Sequence, residues 1–133
     1  MPKAIVEAVT FPKDRRGFVI EPLASESIAA QKNAHVVMTE PGGIRGNHYH
    51  EHGTEIAVVM GPALVRLREG GVIRDMNVPE GEAYRFTVPP GVAHAFQNTG
   101  SNPMLLIAFN TALFDAAVPD VIADILIPKP GPA

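Results

Sequence analysis

The sequence predicts an all-β fold, a double-sheet jelly-roll barrel of about ten short strands. Three observations carry that expectation. The chain of 133 residues holds 12 glycines and 13 prolines, spread without a period, and such frequent punctuation favours many short strands and turns over long helices. Between the turns lie short runs rich in Val, Ile and aromatic residues, the composition of a pleated, half-buried surface. One run, Ala63–Glu69 (ALVRLRE), alternates cleanly, with Leu64, Arg66 and Arg68 on one face and Val65 and Leu67 on the other, which is the period of a strand.

In chain order, Lys3–Thr10 reads as a strand ending at Phe11-Pro12, and Lys13 to Gly17 as a charged turn before the short extended Phe18–Ile20. Ser25–Gln31 is the one stretch with modest helix propensity, too short to stand alone. His35–Glu40 is a strand closed by Pro41-Gly42-Gly43, followed by Gly46–His50 and Glu55–Met60 with Glu51–Thr54 as the turn between them. After Ala63–Glu69, Gly70-Gly71 is a two-residue hairpin signal and Val72–Asn77 returns. Tyr84–Val88, His94–Asn98 and Pro103–Asn110 complete the regular strands. The stretch from Leu113 to Pro128 is extended and Pro-punctuated, so one domain spans 1–127 and a disordered tail is expected over 128–133.

Composition removes several classes of function. With no cysteine, disulfides, thiolate metal sites and Cys nucleophiles are excluded. A formal charge of −3 offers no electrostatic footprint for nucleic acid. No apolar run approaches the length of a membrane span, so a soluble chain in a reducing cytoplasm is the expectation.

The chemistry concentrates between Gly42 and Asn98. His48 and His50 are two residues apart, so in a strand both point to one face. Glu55 opens the following strand, and His94 starts another. Three imidazoles and a carboxylate suit a divalent metal, and nitrogen–oxygen ligation admits Zn, Mn, Fe, Ni or Co. The bland alternative is a set of buried, hydrogen-bonded polar groups, but a carboxylate buried without a cation is costly. His52 falls on the turn, as a solvated loop residue or a mobile acid–base group at the barrel mouth. His35 begins a strand and reads as a core or surface histidine, though strand starts often sit at a cavity rim. Arg66 and Arg68 either share a solvated or inter-subunit face or line a cavity and hold an anion. Tyr84 and Phe96 read as core residues.

At these residues the chain resembles the cupins. Their first motif is matched by Gly42, His48, His50, Glu55 and Gly61, one residue short in the last gap, and their second by Pro89, Gly91, His94 and Asn98. The resemblance implies a double-stranded β-helix with one metal bound by His48, His50, Glu55 and His94. A narrower resemblance rests on Asp14-x-Arg16-Gly17-x-x-x-Glu21 and on Arg45-Gly46-x-His48-Tyr49, which are similar to the dTDP-4-dehydrorhamnose 3,5-epimerases. The His-Tyr-His form, the ALVRLRE strand, Asn110-x-x-Leu-Phe-Asp115 and Pro119-Asp120 resemble the zinc-binding cupin domain attached to capsular-polysaccharide sugar-nucleotide reductases. Sugar 3,4-ketoisomerases belong to the same circle.

That resemblance implies an isomerase or epimerase acting on a keto-deoxy sugar nucleotide in cell-surface polysaccharide synthesis, with zinc as the foremost metal. It places Arg16, Glu21 and Arg45 near the sugar nucleotide, and Arg66 joins them as a substrate-binding candidate. In the rhamnose-pathway epimerases the histidine corresponding to His48 is a free base without metal, and a tyrosine acid stands on the strand after the second motif. Here that strand, Met104–Asn110, has no tyrosine, and the chain's tyrosines are Tyr49 and Tyr84. His52 and Tyr49 are therefore the catalytic candidates. An iron-dependent dioxygenase and a non-catalytic cupin that binds metal and a small molecule are the alternatives. Cupins commonly dimerise through N-terminal strands, so a homodimer through Lys3–Thr10 is expected.

Overall fold

Turn residues cut the chain into strands short enough to wrap around one core. The structure is a computed structural model and describes residues 1–129, so residues 130–133 of the expected tail lie outside the described residues. The elements are β1 (Ile5–Val9), β2 (Lys13–Asp14), β3 (Gly17–Phe18), α1 (Ser25–Ile28), β4 (Asn33–Thr39), β5 (Ile44–His50), β6 (Glu55–Met60), β7 (Ala63–Glu69), β8 (Val72–Val78), β9 (Ala83–Val88), β10 (Ala93–Asn98), β11 (Met104–Asn110) and β12 (Val121–Ala123). Beyond the expected strands are β12, in the Pro-punctuated stretch, and β2, which forms a tiny hairpin with β3 at the charged turn, where Lys13 pairs with Phe18 and Asp14 with Gly17.

Two five-stranded antiparallel sheets form the barrel, in the orders β1-β9-β6-β11-β4 and β12-β5-β10-β7-β8. Their inner faces meet in one apolar cluster, with Ala57, Val59, Phe86, Val88 and Leu106 from the first sheet and Val65, Leu67, Val78 and Phe96 from the second. The alternation read in Ala63–Glu69 is the burial pattern of β7, with Val65 and Leu67 inside and Leu64, Arg66 and Arg68 outside. Gly70 and Gly71 close the β7–β8 hairpin with positive φ at both residues, 56° and 80°, as a tight two-residue turn requires.

Two arrangements were not visible in the strand pattern. First, β5 and β6 do not pair: they lie in different sheets, and the Glu51–Thr54 turn crosses the barrel wall. His48 and His50 thus look across the interior toward Glu55. Second, β5 is bulged. On β10, His94 is opposite His48 while the next residue, Ala95, is opposite Gly46, so Asn47 is the extra residue. Asn47 has φ 60° and Gly46 φ 85°. The bulge turns the Asn47 side chain outward, where Oδ1 accepts from the backbone N–H groups of Leu126 and Ile127 at 2.9 and 3.0 Å and Nδ2 donates to the Ile127 carbonyl at 2.9 Å. The C-terminal strap so held buries Leu126 and Ile127 on Ala93 and Ala95, with Ile44, Tyr49 and Leu64 around them.

Gly46 is where this geometry is least forgiving. A Cβ there would stand 2.7 Å from the His94 carbonyl oxygen, and the positive φ disfavours any L side chain. Gly46→Ala is expected to cost about 1–3 kcal/mol in stability, read as a lower midpoint in urea unfolding.

Candidate metal centre and cavity

β5 and β10 are paired in register at His48 and His94, which brings the two histidine-bearing strands side by side. The three rings cluster tightly, with centroids 5.1 Å apart for His48–His50, 4.9 Å for His48–His94 and 5.4 Å for His50–His94. Their ligand nitrogens all lie within 4.8 Å of one another. From the opposite sheet Glu55 reaches in, its Oε2 2.8 Å from His94 Nε2 and its Oε1 3.8 Å from His50 Nε2. The structure therefore gathers the four residues that the motif spacing singled out.

Three atoms in this cluster are buried with no aligned hydrogen bond: His50 Nε2, His94 Nε2 and Glu55 Oε2. The 2.8 Å approach of Glu55 to His94 is close without the alignment of a hydrogen bond. Buried polar atoms are rarely left without partners. Burial, with His94 as its neighbour, pushes the His48 imidazole down to about 4, so it is a neutral donor at neutral pH. Burial by itself would raise Glu55, but His50 and His94 hold it far below the ordinary carboxylate range. Burial by itself would lower His94, and the Glu55 carboxylate reverses that, leaving it raised. His94 Nδ1 lies 3.1 Å from the Val92 carbonyl, which only accepts, so Nδ1 carries a proton and a neutral ring presents its Nε2 lone pair inward. Inward lone pairs and a buried carboxylate fit a divalent cation.

Asp120 is a partner that sequence spacing did not single out for a role. Its two oxygens accept from the backbone N–H groups of His52 and Gly53, both at 2.9 Å, and pin the turn between the histidines and Glu55. Its Oδ2 also stands 3.7 Å from His50 Nδ1, too far for a hydrogen bond. The contact spans 68 residues, and no local pattern announces it.

A cavity opens from the cluster in two lobes that share His35, Glu55 and Ala108. The lobe of about 120 Å³ is walled by His50, Phe109, Leu113, Phe114, Pro119 and Asp120. The other, of about 220 Å³, is walled by Arg45, His48, Val37, Phe96 and Leu106. Arg45 donates from Nε to Thr39 Oγ1 at 3.2 Å and from Nη2 to the Met38 carbonyl at 2.8 Å. Phe96 is a core residue, as expected, and also walls this lobe.

The other candidates lie elsewhere. Tyr49 alternates with the two histidines and packs on the outer apolar cluster under the strap, so the structure does not bring it to the cavity. His52 is exposed on the turn and does not line either lobe. Arg66 is on the outer face, held by Asp75 at 2.8 Å and by the Leu126 carbonyl, because its neighbours Val65 and Leu67 take the interior. Arg16 is paired with Asp14 at 2.6 Å in the exposed hairpin. Glu21 borders a separate apolar groove of about 570 Å³ beside Leu23, Ile28 and Phe109. His35, read as a core or surface histidine or one at a cavity rim, is exposed and lines both lobes.

No curated protein matches the chain. Among solved structures it is similar to the capsular polysaccharide assembling protein CapF of Staphylococcus aureus, with 23% identity and a TM-score of 0.66 over 89% of this chain and 33% of that one. The chain thus spans about a third of CapF. It is also similar to ChmJ, a 3'-monoepimerase of Streptomyces bikiniensis in complex with dTDP-quinovose, with 18% identity and a TM-score of 0.72 over 90% of this chain and 68% of that one. The third is QdtA, a sugar 3,4-ketoisomerase of Thermoanaerobacterium thermosaccharolyticum in complex with TDP, with 14% identity and a TM-score of 0.69 over 91% of this chain and 88% of that one. These likenesses establish the cupin barrel expected from the motifs. The family model described as the polysaccharide biosynthesis C-terminal domain matches residues 12–122. A match over that much of the barrel, taking in every residue of the histidine cluster, places the chain in the polysaccharide biosynthesis C-terminal domain family.

Proposed function

We propose that the chain is a metal-dependent isomerase of keto-sugar nucleotides serving polysaccharide synthesis. The observation that carries the reading is the cluster of three histidines and one carboxylate, left with orphaned buried nitrogens and oxygen, at the junction of two cavity lobes. The printed activities of ChmJ and QdtA, a 3'-monoepimerase and a sugar 3,4-ketoisomerase, support the substrate class.

In this reading His48, His50, Glu55 and His94 hold the cation. A divalent ion bound there supplies Lewis-acid polarisation of a keto oxygen, which makes the adjacent C–H acidic. The protein's own groups do the rest. Phe109, Leu113, Phe114 and Pro119 offer an apolar wall to one side of the sugar. Arg45, with Nη1 unbonded among the described residues, is placed at the second lobe to take an anionic oxygen of the diphosphate. The substrate is then held between a charged end and an apolar end.

Elemental analysis of protein purified without added metal is expected to find about one divalent ion per chain, and His50→Ala and His94→Ala to lose it. Metal-loaded protein in heavy water is expected to exchange the proton beside the carbonyl of a keto-sugar nucleotide, and a chelator to abolish that exchange. No exchange across a panel of such sugars would sink the reading, and turnover that needs iron and dioxygen would favour a dioxygenase instead.

Ala108 forms the shared floor of the two lobes. Ala108→Leu is expected to weaken sugar-nucleotide binding by at least tenfold while metal content stays at the level of the unaltered protein, as calorimetric titration and elemental analysis would show.

A further inference from the structure

We propose that His35 is the proton-transfer residue of this cavity, acting on the carbon beside the keto group; the assignment rests on the isomerase reading above. Its orientation follows from the strand period. Val37 packs on the main core cluster, and His35, two residues earlier on β4, shares that inner face. Its cross-strand partner is Ala108 on β11, and Ala108 in turn pairs with Ala57 on β6, the strand that carries Glu55. Because β4 and β6 flank β11, they lie about 10 Å apart. The floor between them is the methyl group of Ala108, which leaves a gap between the His35 ring and the metal cluster. Both cavity lobes are lined by His35 and Glu55 together.

The competing groups are committed. The other three imidazoles and Glu55 form the cluster. Both Asp120 oxygens accept backbone N–H groups of the turn, and Asp115 accepts from Ala117. The exposed His35 side chain has no hydrogen bond or ion pair among the described residues, and imidazole is the side chain most often used to move a proton near neutral pH.

In the step assigned to it, a ring-nitrogen lone pair of His35 takes the proton from the carbon next to the ketone. The C–H electron pair becomes the enolate double bond, and the carbonyl pair moves onto oxygen. Water at the cavity mouth returns a proton to the opposite face and restores the ketone. The resulting hydroxide is neutralised by the proton His35 carries, so atoms and charge balance.

The test uses the whole chain, metal-loaded, with TDP-4-keto-6-deoxyglucose, the ligand of a QdtA variant, and the rest of the sugar panel in heavy water. His35→Gln is expected to slow deuterium incorporation about 100-fold or more, with metal content and melting temperature unchanged. His52→Gln is expected to exchange like the unaltered protein. Diethyl pyrocarbonate is expected to label His35 in the free protein, and the sugar nucleotide to shield it. Full exchange by His35→Gln, or loss of exchange in His52→Gln alone, would overturn the assignment and leave the isomerase reading standing. Shielding of His35 without exchange by the unaltered protein would make it a binding residue and overturn both.

Discussion

A carboxylate inside a β-barrel is the constraint on which the rest of this structure depends. Glu55 is charged and largely enclosed, and removing a charge from water costs several kcal/mol unless a counter-charge is close. The cluster offers two ways to supply one. A proton on His94, 2.8 Å away, neutralises the pair but leaves the His50 nitrogen without a partner. A divalent cation neutralises Glu55 and takes the lone pairs of His48, His50 and His94 at once. A proton and a divalent cation would therefore compete for the same inward atoms.

Holding four side chains to one point requires three strands to agree in position. The paired β5 and β10 supply the histidines, and β6 supplies the carboxylate from across the interior. The bulge at Asn47 lets both Arg45 and His48 line the cavity although they are three residues apart, and the same residue latches the C-terminal strap to the back of the strand. Asp120, at the head of that strap, pins the turn that carries the chain from one sheet to the other. The back of β5 is also covered by β12, whose Val121, Ile122 and Ala123 pair with His50, Tyr49 and His48. The last part of the chain thus fixes the strand that carries two of the clustered histidines.

The cavity is chemically lopsided. Its lining combines the imidazoles and the carboxylate with aromatic and aliphatic walls, and among the described residues Arg45 of the larger lobe is its one guanidinium. The larger apolar groove near Glu21 has no imidazole or guanidinium in its lining, so volume alone does not pick out the chemistry.

The sequence by itself determined where most strands lie, to within about two residues at their ends, and the identity of the clustered residues. Glu55–Met60 and Ala63–Glu69 are strands with the very bounds their composition indicated, because turn formers and alternation act over a few residues. The motif spacing likewise named His48, His50, Glu55 and His94, since i and i+2 in a strand must share a face. Which face turns inward was a tertiary decision. Tyr49 and Arg66 each belong to a correctly read strand, yet both point away from the cavity because their neighbours occupy it. The separation of β5 and β6 into different sheets, the one-residue bulge, the contact of Asp120 with a turn 68 residues away and the inward aim of His35 all arise from long-range packing. A period-two pattern carries relative orientation along one strand; only closure of the barrel converts that into inside and outside.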